Sequence, residues 1–424
     1  MSGFLRGSLL AVLSGIALAL AGCGGGDGGS NNPPGASAPT TVVQPLPLPG
    51  PYAVACSNVV QDFSRVGADE DVKDYWEGIP SDNGTPRYVT DLLADPGDTL
   101  IATVTAPMDS NLYGSFAGEK PEFVVLVCYP TPADNPRPDY PLPTGDVVPH
   151  MQTGSDAPLF ADASARYPVV AFSHGYRGSP LSSDYISGMV LLASYGYVVV
   201  APFHGDGRFC DLKIEDISDA IAVLSNLSNF TALQALRPLS ISAALDLVLA
   251  HPQWQGHIDA TQIGGFGASM GGETMMLLGG AGLTTSYPGL SSDQVTSDTR
   301  IKAAVGYVPY FGQPFLPAFG DDQEGLDGIN LPFLGISGTA DPIAPISETK
   351  SGMSHLTGTR ELVALSGVKH EFDPDSTNDI FTWTLTFLDA EVRGNLATQK
   401  QLSTMKSVAG GGDDSVVIPY NGSP

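Results

Sequence analysis

The feature that most restricts what this chain can fold into is the octapeptide Gly265-Phe266-Gly267-Ala268-Ser269-Met270-Gly271-Gly272. It overlaps the end of a strand-like run, 262–266, and leads without a linker into a helix-like run, 270–278. A chain that passes from strand to helix across one residue drives that residue toward strained backbone angles. Its neighbours two positions away on each side must then be small. Ser269 has Gly267 and Gly271 there. With 50 glycines in 424 residues the pattern arises easily by chance, so its meaning depends on the surrounding sequence.

Those surroundings alternate between strand and helix. Residues 100–105 and 122–128 read as opening strands and 168–172 as a buried strand. Residues 183–194 read as a helix with Ile186, Met189, Val190 and Ala193 on one face, and 197–201 as the next strand. A helix over 241–250 ends before Pro252, strands follow at 301–308, 331–336 and 361–365, and 378–392 is a closing helix. Such alternation predicts an α/β fold, a mostly parallel central sheet with helices on both faces. Residues 129–167, rich in Pro and Asp, read as a long loop. Three further connections, 203–237, 279–298 and 310–330, exceed what a turn needs and follow strand ends on one rim. They are expected to be lid-like insertions and substrate walls, or else plain surface loops.

In an open parallel sheet, groups just past the carboxyl ends of neighbouring strands meet in one crevice. Ser269 follows 262–266, Asp341 follows 331–336 and a turn at Gly338, and His370 follows 361–365 and Gly367. A serine, a histidine to take its proton and an acid to orient the imidazole form a nucleophilic set. Asp373 and Asp375 stand nearer His370 in sequence but read as caps of the closing helix. Backbone donors for an oxyanion are expected at Met270 and at Tyr176, in the loop Ser173-His174-Gly175-Tyr176-Arg177. His174 reads as a structural member of that loop, and Tyr176 and Arg177 as candidates for substrate contact or plain exposed residues. The cluster His204-Gly205-Asp206-Gly207-Arg208 with Asp211 offers few ligands for a metal and reads as a Gly-rich turn. No dinucleotide fingerprint is present, so neither cofactor nor metal is expected.

The ends of the chain have their own character. Arg6 precedes an apolar run, 9–21, too short to span a bilayer, and Leu20-Ala21-Gly22-Cys23 closes it. This resembles a bacterial lipoprotein signal, residues 1–22, which implies cleavage before Cys23 and a lipid on its sulfur. An ordinary signal peptide is the alternative. Residues 23–50 have the composition of a flexible tether, 51–99 read as an N-terminal extension, 100–392 as the catalytic domain and 393–424 as a C-terminal tail. No other segment reads as long and apolar enough to cross a bilayer, so an exported protein held at the outer membrane or cell surface by its lipid is expected. A net charge of −26 disfavours nucleic acids and anionic lipid surfaces as partners and favours a neutral substrate. Cys56, Cys128 and Cys210 allow one disulfide and one thiol, with the pair not fixed by spacing.

The blocks His174-Gly175-Tyr176, Gly267 to Gly272, Gly338-Thr339-Ala340-Asp341-Pro342-Ile343-Ala344-Pro345 and Gly367-Val368-Lys369-His370 resemble those of α/β-hydrolase esterases. They are most similar to bacterial cutinase-like polyester hydrolases, with dienelactone-hydrolase-like and platelet-activating-factor-acetylhydrolase-like proteins as cousins. The resemblance spans residues 167–392 and implies the α/β-hydrolase fold and ester hydrolysis through Ser269, His370 and Asp341. Departures bear on the substrate more than on the chemistry. Ala268 stands where His or Trp is usual, Glu273 replaces a third glycine, and compact cutinases lack the three long connections. An acyltransferase or peptidase on the same fold, and a non-catalytic binding lipoprotein, are the other readings of this pattern.

Overall fold

Runs rich in Val, Ile, Leu and Phe, whose branched side chains pack well on a pleated surface, pair here into one central sheet. The computed structural model describes residues 39–66, 71–78, 89, 92–93, 96–212, 220–314 and 316–422. The expected signal segment, Cys23 and the tether as far as residue 38 lie outside the described residues. Among the described residues ten strands form the sheet: β1 (Ala53–Cys56), β2 (Ile101–Thr103), β3 (Glu122–Thr131), β4 (Tyr167–Ser173), β5 (Val198–Pro202), β6 (Ile258–Ala268), β7 (Ile301–Tyr307), β8 (Phe333–Gly338), β9 (Arg360–Leu365) and β10 (Asp414–Ile418). Their order is β10-β9-β8-β7-β6-β4-β5-β3-β1, with β2 also pairing to β3. The strands from β9 through β5 pair in parallel, while β10, β3, β2 and β1 join antiparallel.

Helices α1 (Ser183–Ser194), α2 (Leu227–Ala250), α3 (Met270–Leu278), α4 (Ile346–His355), α5 (Thr377–Glu391) and α6 (Leu396–Leu402) accompany the sheet. Alternate residues of β4 serve opposite faces. Val169 and Ala171 join a core with α2, α3 and α4, whereas Val170 and Phe172 join a second core with α1 and α5. The protein is therefore a mixed α/β fold with helices on both sheet faces. The chain steps from β4 to β5, returns to the far side of β4 for β6, and continues outward through β7, β8 and β9. The carboxyl ends of β4 and β6 thus flank the point where strand order reverses, the place where open sheets form a crevice.

Several boundaries differ from the sequence reading. The helix expected from 241 begins at Leu227, and Pro238 lies inside it. A proline deprives the helix of one N–H, yet every residue from Phe230 to Pro238 is buried, so packing holds the turn that local propensity opposes. Over its full 24 residues this helix is long and apolar enough to cross a membrane by length and composition, contrary to the expectation that no segment beyond the N-terminal run is; 67% of its most apolar stretch is buried in this fold. The expected loop at 129–167 begins inside β3, which runs to Thr131, and it carries a small ladder between Tyr140–Pro141 and Val147–Val148.

The expected tail, 393–424, is part of the body over its described residues, 393–422: β10 covers the edge of β9, and Met405–Val408 pairs in parallel with Thr41–Val43. The tether expected through Gly50 is likewise fixed over its last residues. Leu46 N–H donates to Thr382 Oγ1 (3.0 Å) and Gly50 N–H to Ser194 Oγ (2.7 Å). Cys56 and Cys128 face each other across β1 and β3 and form a disulfide, which leaves Cys210 as a buried thiol.

Candidate active site

Ser269 sits between β6 and α3 at φ 53° and ψ −119°, backbone angles that L-residues rarely adopt. A Cβ on Gly267 would lie 2.0 Å from the Gly271 carbonyl oxygen, and one on Gly271 would lie 2.0 Å from that of Ser173. Both positions therefore need glycine. Three backbone bonds fix the strained residue: Ser269 N–H donates to Tyr307 O (2.9 Å), and its carbonyl accepts from Gly272 (2.8 Å) and Tyr310 (3.0 Å).

The structure brings the three expected side chains together. Ser269 Oγ is 2.7 Å from His370 Nε2, and His370 Nδ1 is 2.7 Å from Asp341 Oδ2. The other Asp341 oxygen accepts from the N–H groups of Ile343 and Ala344, both at 2.8 Å. An ionised carboxylate only accepts, so Nδ1 carries the imidazole proton and Nε2 is left to accept from the serine hydroxyl. The Asp341 side chain is fully buried and that of His370 is 21% exposed, so one side of the imidazole reaches solvent. Gly338 permits the approach of β8 to the histidine loop, since a Cβ there would lie 2.2 Å from Val368 O. Behind the loop, Tyr307 Oη donates to Glu371 O (2.6 Å) and Phe372 stacks on the Tyr307 ring at 4.4 Å. Asp373 instead accepts from Ser376 Oγ (2.5 Å) at the start of the short turn before α5.

The loop after β4 passes beside the serine: a Cβ on Gly175 would lie 3.4 Å from Ser269 Cβ. Gly175 N–H donates to Tyr185 Oη (3.1 Å) and Arg177 N–H to Asp206 Oδ2 (2.8 Å). Between them the Tyr176 N–H has no partner among the described residues. Met270 opens α3, so its N–H is one of the donors that a helix start leaves free. Arg177, considered for substrate contact, is committed to Asp74, Asp211 and Glu77 at 3.1, 2.9 and 3.2 Å. The Tyr176 hydroxyl donates to Leu212 O (2.6 Å).

Behind this loop is a pair that the sequence reading did not assign. Arg237, 1% exposed, holds Asp206 through Nε (3.0 Å) and Nη2 (2.6 Å), and also donates to the carbonyls of His174 (2.7 Å) and Gly175 (2.9 Å). Asp206, weighed earlier as a metal ligand, thus has both oxygens engaged. One signal was present in the sequence: an arginine in an otherwise apolar helical run needs a buried partner. His174 and His204 lie in the same layer. Burial, reinforced by Arg237, lowers His174 to about 4 and pushes His204 well below the usual imidazole range, so both are neutral near pH 7.

No protein-family model matches this sequence, and no curated protein is significantly similar to it. The chemistry must therefore be read from the geometry. A hydroxyl bonded to an imidazole, that imidazole bonded in turn to a buried carboxylate, and free N–H groups beside the hydroxyl together suit attack on a carbonyl carbon.

Proposed function

We propose that this chain is a serine carboxylic ester hydrolase of the α/β-hydrolase fold, acting outside the cytoplasm on neutral esters. The observation that carries the reading is the continuous relay Ser269 Oγ, His370 Nε2, His370 Nδ1, Asp341 Oδ2, with 2.7 Å at each hydrogen bond. Ser269 Oγ attacks the ester carbonyl as its proton passes to His370 Nε2. The N–H groups of Tyr176 and Met270 receive the oxyanion of the tetrahedral intermediate. His370 returns the proton to the departing alcohol, leaving acyl-Ser269. Water, giving its proton to His370, then attacks the acyl carbon, and the acid leaves as Ser269 is reprotonated. Asp341 holds the tautomer and stabilises the imidazolium without taking the proton.

The test is labelling with a fluorophosphonate alongside p-nitrophenyl ester turnover. Mass spectrometry is expected to place the adduct on the peptide carrying Ser269, and Ser269→Ala is expected to abolish both signals. An adduct on another serine, or none on folded protein, refutes the mechanism. The location follows from the segment around Cys23, proposed as a lipid anchor. Cys23→Ser is expected to keep the ester activity while the protein moves from the membrane pellet to the carbonate wash.

A further inference from the structure

The three segments expected as long connections share one pocket, the first of them through the opening turns of α2 and not through a loop. Every residue lining it comes from 203–237, 279–298 or 310–330, among them Phe230 and Gln234, Leu283 and Tyr287, and Tyr310 and Leu316. The pocket borders the proposed machinery at two points. Tyr310 N–H donates to the Ser269 carbonyl (3.0 Å), and the Phe230 ring meets the Tyr176 ring edge-on at 5.9 Å. Its walls are mainly apolar, and its volume is about 20 Å³, room for one water-sized group or a methyl. Pockets that hold drug-sized ligands run to several hundred Å³.

Gln234, one of the lining residues, is tied to a second buried polar group. Gln234 is 5% exposed and its Nε2 donates to Glu273 Oε1 at 2.6 Å. Glu273 is 1% exposed and its other oxygen has no hydrogen-bond partner among the described residues. Burial pushes its carboxyl up to about 8, so it is uncharged near neutrality. Glu273 is also the residue that departs from the glycine expected four positions after the serine. A longer acyl chain would have to displace Gln234, lay hydrocarbon against its amide, and strip Glu273 of the one bond it has.

Taking Ser269 as the nucleophile proposed above, we infer that this pocket receives the acyl group of the ester and is built for an acetyl-sized one, with the Gln234–Glu273 pair as its stop. The alcohol portion leaves on the solvent side and is not measured by this pocket.

The experiment compares kcat/KM for p-nitrophenyl acetate, butyrate and octanoate, a series in which only the acyl group changes. Acetate is expected to lead butyrate by about 10-fold and octanoate by on the order of 100-fold. Leu316→Ala, at a partly exposed wall position, and Gln234→Ala are expected to raise the butyrate-to-acetate ratio about 10-fold. Ethyl and octyl acetate are expected to react within a few-fold of each other. Equal or faster turnover of octanoate by the wild type, with Ser269 labelled by fluorophosphonate, overturns the acyl pocket and leaves the hydrolase reading standing. So does labelled protein that leaves acetate intact, or an unchanged ratio in both variants. Folded protein with neither label nor turnover overturns the hydrolase reading itself.

Discussion

At Asp341 one carboxylate oxygen accepts the N–H groups of Ile343 and Ala344 while the other accepts from His370, so the residue that shapes the turn also orients the imidazole. Asp341→Asn keeps an acceptor for the turn but offers His370 an amide N–H, which selects the wrong tautomer. We expect kcat to fall by on the order of 10⁴ with little change in Tm, measured by single-turnover kinetics and calorimetry. Asp373→Asn, which disturbs only the bond from Ser376, is expected to change kcat less than about threefold. Ser269→Ala and His370→Ala should each cost on the order of 10⁴ or more in kcat, and the double variant scarcely more, because the two act as one unit. These residues were legible in the sequence because each stands just past a strand, where topology alone brings it to the crevice. Tyr185 was not: its hydroxyl receives the Gly175 N–H, a contact made by packing α1 beneath the loop and signalled by no spacing.

The elements show the same division between what periodicity reveals and what packing decides. Helices α1 and α3 match the sequence reading to the residue, since their boundaries coincide with a serine-rich start and a glycine stop. Helix α2 does not: the sequence reading starts it at 241, beyond Pro238, whereas burial keeps the turns from Leu227 helical. That longer helix is what carries Arg237 to the β4 loop. Arg237→Met leaves Asp206 buried without its cation, and denaturant unfolding should register a loss of about 3 to 5 kcal/mol. Arg237→Met with Asp206→Leu removes both charges and should recover much of that stability. It should not recover kcat, because the His174 and Gly175 carbonyls lose the guanidinium, Gly175 keeping only the turn bond from Gly178 N–H (3.1 Å), and the Tyr176 N–H loses its fixed place. Recovery of both properties together would make the pair a matter of stability alone. The edge strand β10 escaped the sequence reading because its short alternation follows glycines and aspartates that resemble a tail; its pairing partner, β9, is what makes it a strand.

Over the whole molecule, two features set how stability responds to conditions. Glu273 is raised to about 8 by burial, opposed by Arg237, and faces Tyr310. A carboxyl raised above its unfolded value binds its proton more tightly in the folded state, so its contribution is complete below about 4.5 and is lost as pH rises through about 8. The Tm of the wild type should therefore decline more steeply between pH 5 and pH 8 than that of Glu273→Gln, as followed by calorimetry. The Cys56–Cys128 disulfide closes a 72-residue separation, and Cys56→Ser with Cys128→Ser is expected to lower the unfolding free energy by about 4 kcal/mol in urea. Finally, Thr41–Val43 pairs in parallel with Met405–Val408, so segments near the two ends of the described residues complete each other. Contacts of such sequence separation form late and leave the growing chain with an unfinished edge. For a protein that we propose is exported, the consequence is that the strand at Thr41–Val43, made early, has no pairing partner until Met405–Val408 has also been made.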